Sequence, residues 1–244
     1  MTRKVVGVSF VGGFGNQLFQ YAFARAYAES QNAMLLTPGW IGQRIFEISD
    51  PPLDYDLPHT GFDEIPTGRT NIILSGYFQS QAAINLMSRS RLKAWFRLKD
   101  EWQRRFTTRY LIAAHIRRGD YVGLSNIYCL ISENSYVEAC KKFDLNPTDI
   151  TWIQEGSRQQ AQDLIDMGMP FIDDFVSLMN ANVILRANSS FSWWAATLSN
   201  GRILSPLVED RTGMHDVEFI EGNWPRMVDA RNCGMNITDL RLRD

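Results

Sequence analysis

Short runs rich in Val, Ile and Leu alternate along this chain with longer stretches of helical periodicity, and that alternation constrains the fold more than any other feature. Val5–Val11 reads as a strand, followed by a loop and a helix over Asn16–Ser30. "NAMLLTP" reads as a second strand, and residues 39–68, with their prolines and acids, as irregular chain. "TNIILSGYFQS" is a strand that leaves through a glycine, and Gln81–Arg109 is a basic, helical stretch. "YLIAAHI" is a strand, Asn134–Phe143 a helix, "DITWIQEG" a strand and "SRQQAQDLIDMG" a helix. "ANVILRANSS" and "RILSP" are strands on either side of a helix, "SFSWWAATLSN", closed by Gly201. Strands joined through helices lie parallel, so the expected class is α/β with mostly parallel sheets. A length of 244 residues allows one large domain or two small ones. The basic stretch before Tyr110 is the expected seam, giving units 1–108 and 109–244, with a peripheral tail from about Asn232.

Several function classes drop out. A net charge of −2 leaves no broad basic surface for nucleic acid. Cys129, Cys140 and Cys233 are few and widely spaced, which suggests neither a disulfide framework nor a zinc site. The apolar run near the N-terminus is short and flows into a glycine loop without a cleavage site, so it reads as a strand rather than a signal peptide. No apolar run reaches the roughly 20 residues of a membrane span. The expected location is the cytoplasm or its membrane face.

The loop after the first strand carries Gly12, Gly13 and Gly15. Glycines there let the backbone turn sharply and let a ligand approach closely. A helix starting near Asn16 points its free N–H groups at the same spot, which favours an anion. Leu18, Phe19, Ala22, Phe23, Ala26 and Tyr27 give that helix a wide core face. The spacing G-G-x-G is not the dinucleotide fingerprint, and the second strand ends in "LLTP" with no acid for a ribose. No G-K-[ST] follows, so it is not a Walker loop. Asn16 and Gln17 bring two amides to the loop, and amides hydrogen-bond sugar hydroxyls well. The stretch alone also fits a tight structural turn with Asn16 as a cap.

"LIAAHIRRGDY" is more specific. Alternation along a strand places His115 and Arg117 on one side and Arg118 on the other. Ligands of open α/β sheets bind outside the carboxyl ends of the strands. There, the planar guanidinium of Arg117 could grip a diphosphate through two hydrogen bonds. A His and two Args at the mouth of an apolar strand are costly to bury without an anion. Arg118 is read as structural, paired to Asp120.

A third strand-to-helix junction is "NSSFSWWAA", after "VILRA". Ser189 or Ser190 can cap the helix, and the same N–H groups can take a phosphate or a ribose hydroxyl. Trp193 and Trp194 face about 100° apart on a helix, so core packing is their expected role. Upstream, "FIDDFVSLMN" offers Asp173 and Asp174. Asp174 is a candidate acceptor for the N1–H and N2–H of a guanine. The competing reading is a helix start with acidic first-turn residues. The one D-x-D, Asp54 and Asp56, sits among prolines with no apolar strand leading to it and reads as a solvated turn.

"GGFGNQLFQYA", "HIRRGDYV" and "NSSFSWWAATL", in this order, together with "GYFQS" at Gly76–Ser80, resemble the α-1,2-fucosyltransferases of glycosyltransferase family 11. The resemblance runs from about Gly12 to Pro206. It implies a GT-B-like fold, with two Rossmann-like units facing a central cleft. It implies a GDP-β-L-fucose donor and transfer with inversion to the 2-hydroxyl of an acceptor sugar, often a galactose, without a metal or other cofactor. Carried over to this chain, His115 and Arg117 hold the diphosphate, and Asn188, Ser189, Ser190 and Phe191 line the nucleotide side. Gly12, Gly13, Gly15, Asn16 and Gln17 close the donor site from the other unit. Asp120 is the nearest candidate general base, with Glu133 behind it. The chain departs from the family in two respects: "ITWIQEG" stands where an "FSDD"-like stretch is common, and the region between Asp120 and Asn188 is short.

The expected function is therefore an inverting fucosyltransferase whose partners are a GDP-sugar and an acceptor glycan. Two alternatives are the same fold with another GDP-sugar donor, and a catalytically silent glycan- or nucleotide-binding protein. A dehydrogenase is disfavoured by the missing ribose acid.

Overall fold

The structure, a computed structural model, describes residues 4–54, 56–105, 109–155, 171–208, 211–227, 240 and 242. These residues form two compact units, one running to Arg105 and including Leu242, the other running from 109 to Leu240.

The first unit is built on a parallel three-stranded sheet in the order β2-β1-β3. Its strands are β1 (Val5–Val8), β2 (Met34–Leu36) and β3 (Ile72–Leu74). All four β1 residues are buried, as a central parallel strand requires. The strand stops at Val8 rather than at the expected Val11. Beyond Ser9, whose N–H still reaches the Leu74 carbonyl, the backbone finds other partners. The side-chain amide of Gln20 accepts from the Val11 N–H at 3.0 Å and donates to its carbonyl at 3.1 Å. That amide replaces a strand neighbour and peels the chain off the sheet. Helix α1 (Phe14–Ser30) follows, with every predicted core-face residue buried. A short helix α2 (Gly42–Ile45) lies in the otherwise irregular stretch after β2.

The basic stretch expected to be one helix is three: α3 (Gln81–Ile84), α4 (Arg89–Trp95) and α5 (Asp100–Arg105). Ser80 and Ser88 each turn a hydroxyl onto a backbone N–H of the following turn and start a new helix.

The second unit holds a five-stranded sheet in the order β10-β8-β7-β4-β6. The strands are β4 (Ile112–Arg117), β6 (Ile150–Glu155), β7 (Val183–Leu185), β8 (Arg202–Pro206) and β10 (Phe219–Gly222). Only β10 runs antiparallel. One face of the sheet, with Ile112, Ala114, Ile116 and Leu185, forms a core with Tyr136, Ala139 and Cys140 of helix α7 (Glu133–Lys142). The other face carries His115 towards Phe191. That residue belongs to helix α9 (Ser190–Leu198), which packs on helix α8 (Phe171–Met179). Alternation along β4 thus sorts its side chains between the two layers. A short helix α6 (Gly119–Gly123) follows β4. A small parallel pair, β5 (Cys129–Ile131) with β9 (Gly213–His215), was not anticipated, and neither was β10. The helix expected over 157–168 and the tail from Asn232 lie outside the described residues, apart from Leu240 and Leu242. Among the described residues no helix is long and apolar enough to cross a membrane.

Candidate active site

Strand order singles out one edge of the second sheet. From β4 the chain places β6 on one side of β4 and then β7 on the other. The connections therefore diverge at β4 and β7, and a crevice opens outside the carboxyl ends of such a strand pair. "HIRRGDY" leaves β4 there, and "RANSSF" leaves β7.

Arg117, the last residue of β4, is half-buried, and its guanidinium lies over the Tyr121 ring at 4.9 Å. Tyr121 also stacks face to face on Tyr128, with centroids 3.9 Å apart and planes 9° apart. Its hydroxyl donates to the Asn188 carbonyl at 3.3 Å. A layered Arg117–Tyr121–Tyr128 stack thus fixes the guanidinium and ties the short helix α6 to the β7–α9 junction. Sequence reasoning assigned Tyr121 no role. Its position four residues beyond Arg117 was the available signal.

His115 lies deeper than a ligand-facing role suggests. It is fully buried, with its ring 5.5 Å from that of Phe191, and its carbonyl accepts the Tyr136 hydroxyl at 2.8 Å. Burial, then the charges of Arg117 and Arg186, push its pKa down to about 3, so the ring is neutral. The Arg118 guanidinium donates to the carbonyls of Arg117 and Ile131, and its expected pairing with Asp120 lies outside the described residues. Asp120 lies in α6, and its side chain falls outside the described residues. Glu133 is exposed at the start of α7.

At the β7 end, Ser189 is the N-cap of α9, its hydroxyl accepting from the Ser192 N–H at 3.3 Å. Asn188 and Ser190 are half-buried beside it. Phe191 is buried, packed on His115 and Phe175 rather than turned outward. Trp193 and Trp194 are fully buried core residues, and the Trp193 indole donates to the Pro225 carbonyl at 3.0 Å. Asp173 and Asp174 occupy the first turn of α8. Burial, and then its neighbour Asp173, push the Asp174 carboxyl up to about 6.

One further residue escaped sequence reasoning. Arg186, directly after β7, is fully buried. Its guanidinium donates to the Ser205 hydroxyl at 3.2 Å, to the Ser189 carbonyl at 3.3 Å and to the Arg226 carbonyl. The signal was a charge at the end of the apolar run "VILR".

In the first unit the glycine loop sits at the equivalent place, after the central strand β1. Gly12 has φ +78°, a conformation that favours glycine. The cap of α1 is Gly13 rather than Asn16, and a Cβ there would meet open space. Gly15 is buried in the first turn. The Asn16 amide oxygen accepts from the Gln79 side chain at 2.7 Å. Gln17 is buried and donates to the Gly12 carbonyl at 3.2 Å, and its Oε1 has no partner among the described residues. "GYFQS" is held by Asp63, whose carboxylate accepts the N–H groups of Tyr77 and Phe78. Gly76, at φ +152°, leaves no room for a Cβ, which would sit 2.5 Å from the Asp63 backbone nitrogen. Asp54 and Asp56 are exposed in irregular chain.

The family model described as glycosyl transferase family 11 matches residues 64–208, more than half the chain. The alpha-1,2-colitosyltransferase of Escherichia coli is 31% identical over 106 residues, and the match covers 36% of this chain and 36% of that relative's length. Among solved structures, the fucosyltransferase NodZ from Bradyrhizobium aligns over 91% of this chain and all of its own, with a TM-score of 0.59 and 15% identity. NodZ alpha-1,6-fucosyltransferase soaked with GDP-fucose aligns over the same shares, with a TM-score of 0.53 and 17% identity. At these identities the likeness is one of fold: a GT-B-like α/β fold with mostly parallel sheets, as expected.

Proposed function

The chain belongs to glycosyl transferase family 11, and from that premise we propose that it transfers L-fucose from GDP-β-L-fucose, with inversion, to the 2-hydroxyl of an acceptor sugar, a galactoside. The observation that carries this reading is the convergence of Arg117 and the N-terminus of α9 on the strand pair β4 and β7, joined by Tyr121.

Breaking the bond between fucose and GDP builds negative charge on the β-phosphate. Arg117, fixed on the Tyr121 ring, presents a planar fork to that charge. The helix pole at Ser189 and Ser190 presents backbone N–H groups and a positive end. Donors held in place before the reaction stabilise the leaving group without reorganisation, which is the largest effect most enzymes use. Neutral His115 adds no charge of its own; it supports the floor beneath Arg117. Asp174 accepts from the guanine edge, and Asp120 takes the proton of the acceptor hydroxyl. The positive charge supplied by Arg117 and the helix end makes a metal ion unnecessary.

A second reading keeps this chemistry and changes the donor to another GDP-deoxysugar. The 31% identity to a colitosyltransferase favours it. One experiment separates the readings: the protein is incubated with a galactoside and a panel of GDP- and UDP-sugars, nucleotide release is measured, and the product linkage is read by NMR. GDP release with GDP-fucose and a 1,2-linked product support the proposal. Release of UDP alone overturns it.

A further inference from the structure

Arg186 is fully buried, and its three hydrogen bonds all go to neutral oxygens, those of Ser189, Ser205 and Arg226. Its Nε has no partner, and it makes no ion pair among the described residues. Taking a guanidinium out of water without a counter-charge costs several kcal/mol. The cost shows in its pKa, which burial pushes down to about 9.

The surroundings deepen the cost. Arg186 bonds the carbonyl of Ser189, the N-cap of α9, and so stands beside the positive pole of that helix. A cation at this end of a helix is unfavourable, and the first turn of α9 contains no acidic residue to offset it. Both Arg186 and Arg117 act on the same neighbour, helping to hold His115 neutral. Two guanidiniums and a helix N-terminus therefore gather around one edge of the sheet.

We propose that Arg186 is a positioning residue that holds positive charge behind the N-cap of α9, so that the pole of this helix takes a diphosphate in preference to ligands of lower charge. This rests on the reading of the β4–β7 edge as the donor site. Among the described residues no carboxylate offsets the buried charge, and a dianion in front of Ser189 and Ser190 would do so. Arg186 touches no substrate. It acts through the field and by bracing three oxygens: the carbonyl of the cap, a β8 hydroxyl and the carbonyl of Arg226. The Ser205 hydroxyl also accepts from the Arg226 N–H at 3.1 Å, so the brace is closed on itself.

The test is calorimetry of the full chain with guanosine, GMP and GDP, for the wild type, Arg186→Gln and Arg186→Lys. Gln keeps two N–H donors and removes the charge. Lys keeps the charge. In Arg186→Gln the preference for GDP over guanosine should fall by about tenfold, with guanosine binding unchanged. In Arg186→Lys the preference should stay within about threefold of the wild type. A purely structural brace weakens guanosine and GDP by the same factor, and that result overturns the proposal, as does an undiminished preference in folded Arg186→Gln. Arg117→Ala provides a check that leaves position 186 untouched: it should still prefer GDP to guanosine, and loss of all preference there removes any share for Arg186. A wild type that binds no guanine nucleotide overturns the donor-site reading itself, whereas a wild-type preference for GDP that survives Arg186→Gln overturns only this inference.

Discussion

The phenol of Tyr121 donates to the carbonyl of Asn188 across 3.3 Å, joining the short helix α6 to the β7–α9 junction between residues 67 apart in sequence. The ring of that phenol is held between Arg117 and Tyr128. One side chain thereby sets the guanidinium and the entry to α9 in a common frame, on which the proposed phosphate site depends.

Tyr121→Phe removes only the hydroxyl. The donor KM should rise roughly threefold to tenfold, the worth of one neutral hydrogen bond, while the acceptor KM stays put. Tyr121→Leu also removes the stack under Arg117 and should lose more. Steady-state kinetics with donor and acceptor varied separately decide it; an effect confined to the acceptor KM contradicts the assignment.

Arg117→Ala should lower kcat/KM by about a hundredfold or more, the cost of one preorganised charged donor at a leaving group. Arg117→Lys should restore little, because an ammonium cannot match the fork and stacks poorly on Tyr121. Circular dichroism and a melting curve confirm that the fold is kept. Near-normal turnover in a folded Arg117→Ala protein would remove Arg117 from the donor site.

Asp174 titrates at about 6 because burial and Asp173 disfavour its ionised form. On the proposed reading, the ionised form above that pH accepts two guanine N–H groups; below it, a proton competes. GDP affinity should therefore fall as pH drops from 7 to 5, and Asp174→Asn should flatten the profile while weakening GDP at pH 7. In the ligand-free protein the sign reverses. A carboxyl raised above its unfolded value favours folding when protonated, and that contribution fades as pH rises through about 6. Calorimetric titrations across this window check the first claim, and a pH-independent affinity refutes it.

Gln20→Leu should destabilise the first unit by about 1–2 kcal/mol, since it strips the Val11 N–H and carbonyl of their partner while keeping apolar bulk. Urea unfolding followed by tryptophan fluorescence reads the change. A midpoint equal to that of the wild type would show that water replaces the amide at no cost.

Activity should be complete in excess EDTA. On the proposed reading, Arg117 and the α9 pole supply the charge that a divalent ion would otherwise bring, and Asp54 and Asp56 are exposed carboxylates with little affinity of their own. Loss of activity in EDTA, restored by Mn²⁺ and mimicked by Asp56→Ala, would move the donor site to the first unit.

Local signals determined much of this molecule. The apolar runs around β1, β4 and β7, the glycines after β1 and the hydroxyl that caps α9 each act within a few residues. Periodicity and spacing therefore disclosed the α/β class, the long helix α1 and the placing of Arg117 and Ser189 at strand ends. The same locality explains the errors. Serine caps at Ser80 and Ser88 divided an expected helix, and the amide of Gln20 ended β1 early. Only the tertiary structure decided what those strand ends do together. Tyr121 meets Asn188, and Arg186 meets Ser205 and Arg226, because the strand order lays β7 between β4 and β8. Likewise Asp63 reaches the N–H groups of Tyr77 and Phe78 across 14 and 15 residues. Such contacts join residues with no periodic relation in sequence. Their energy depends on burial and on the partner's position, and both exist only once the sheet has closed.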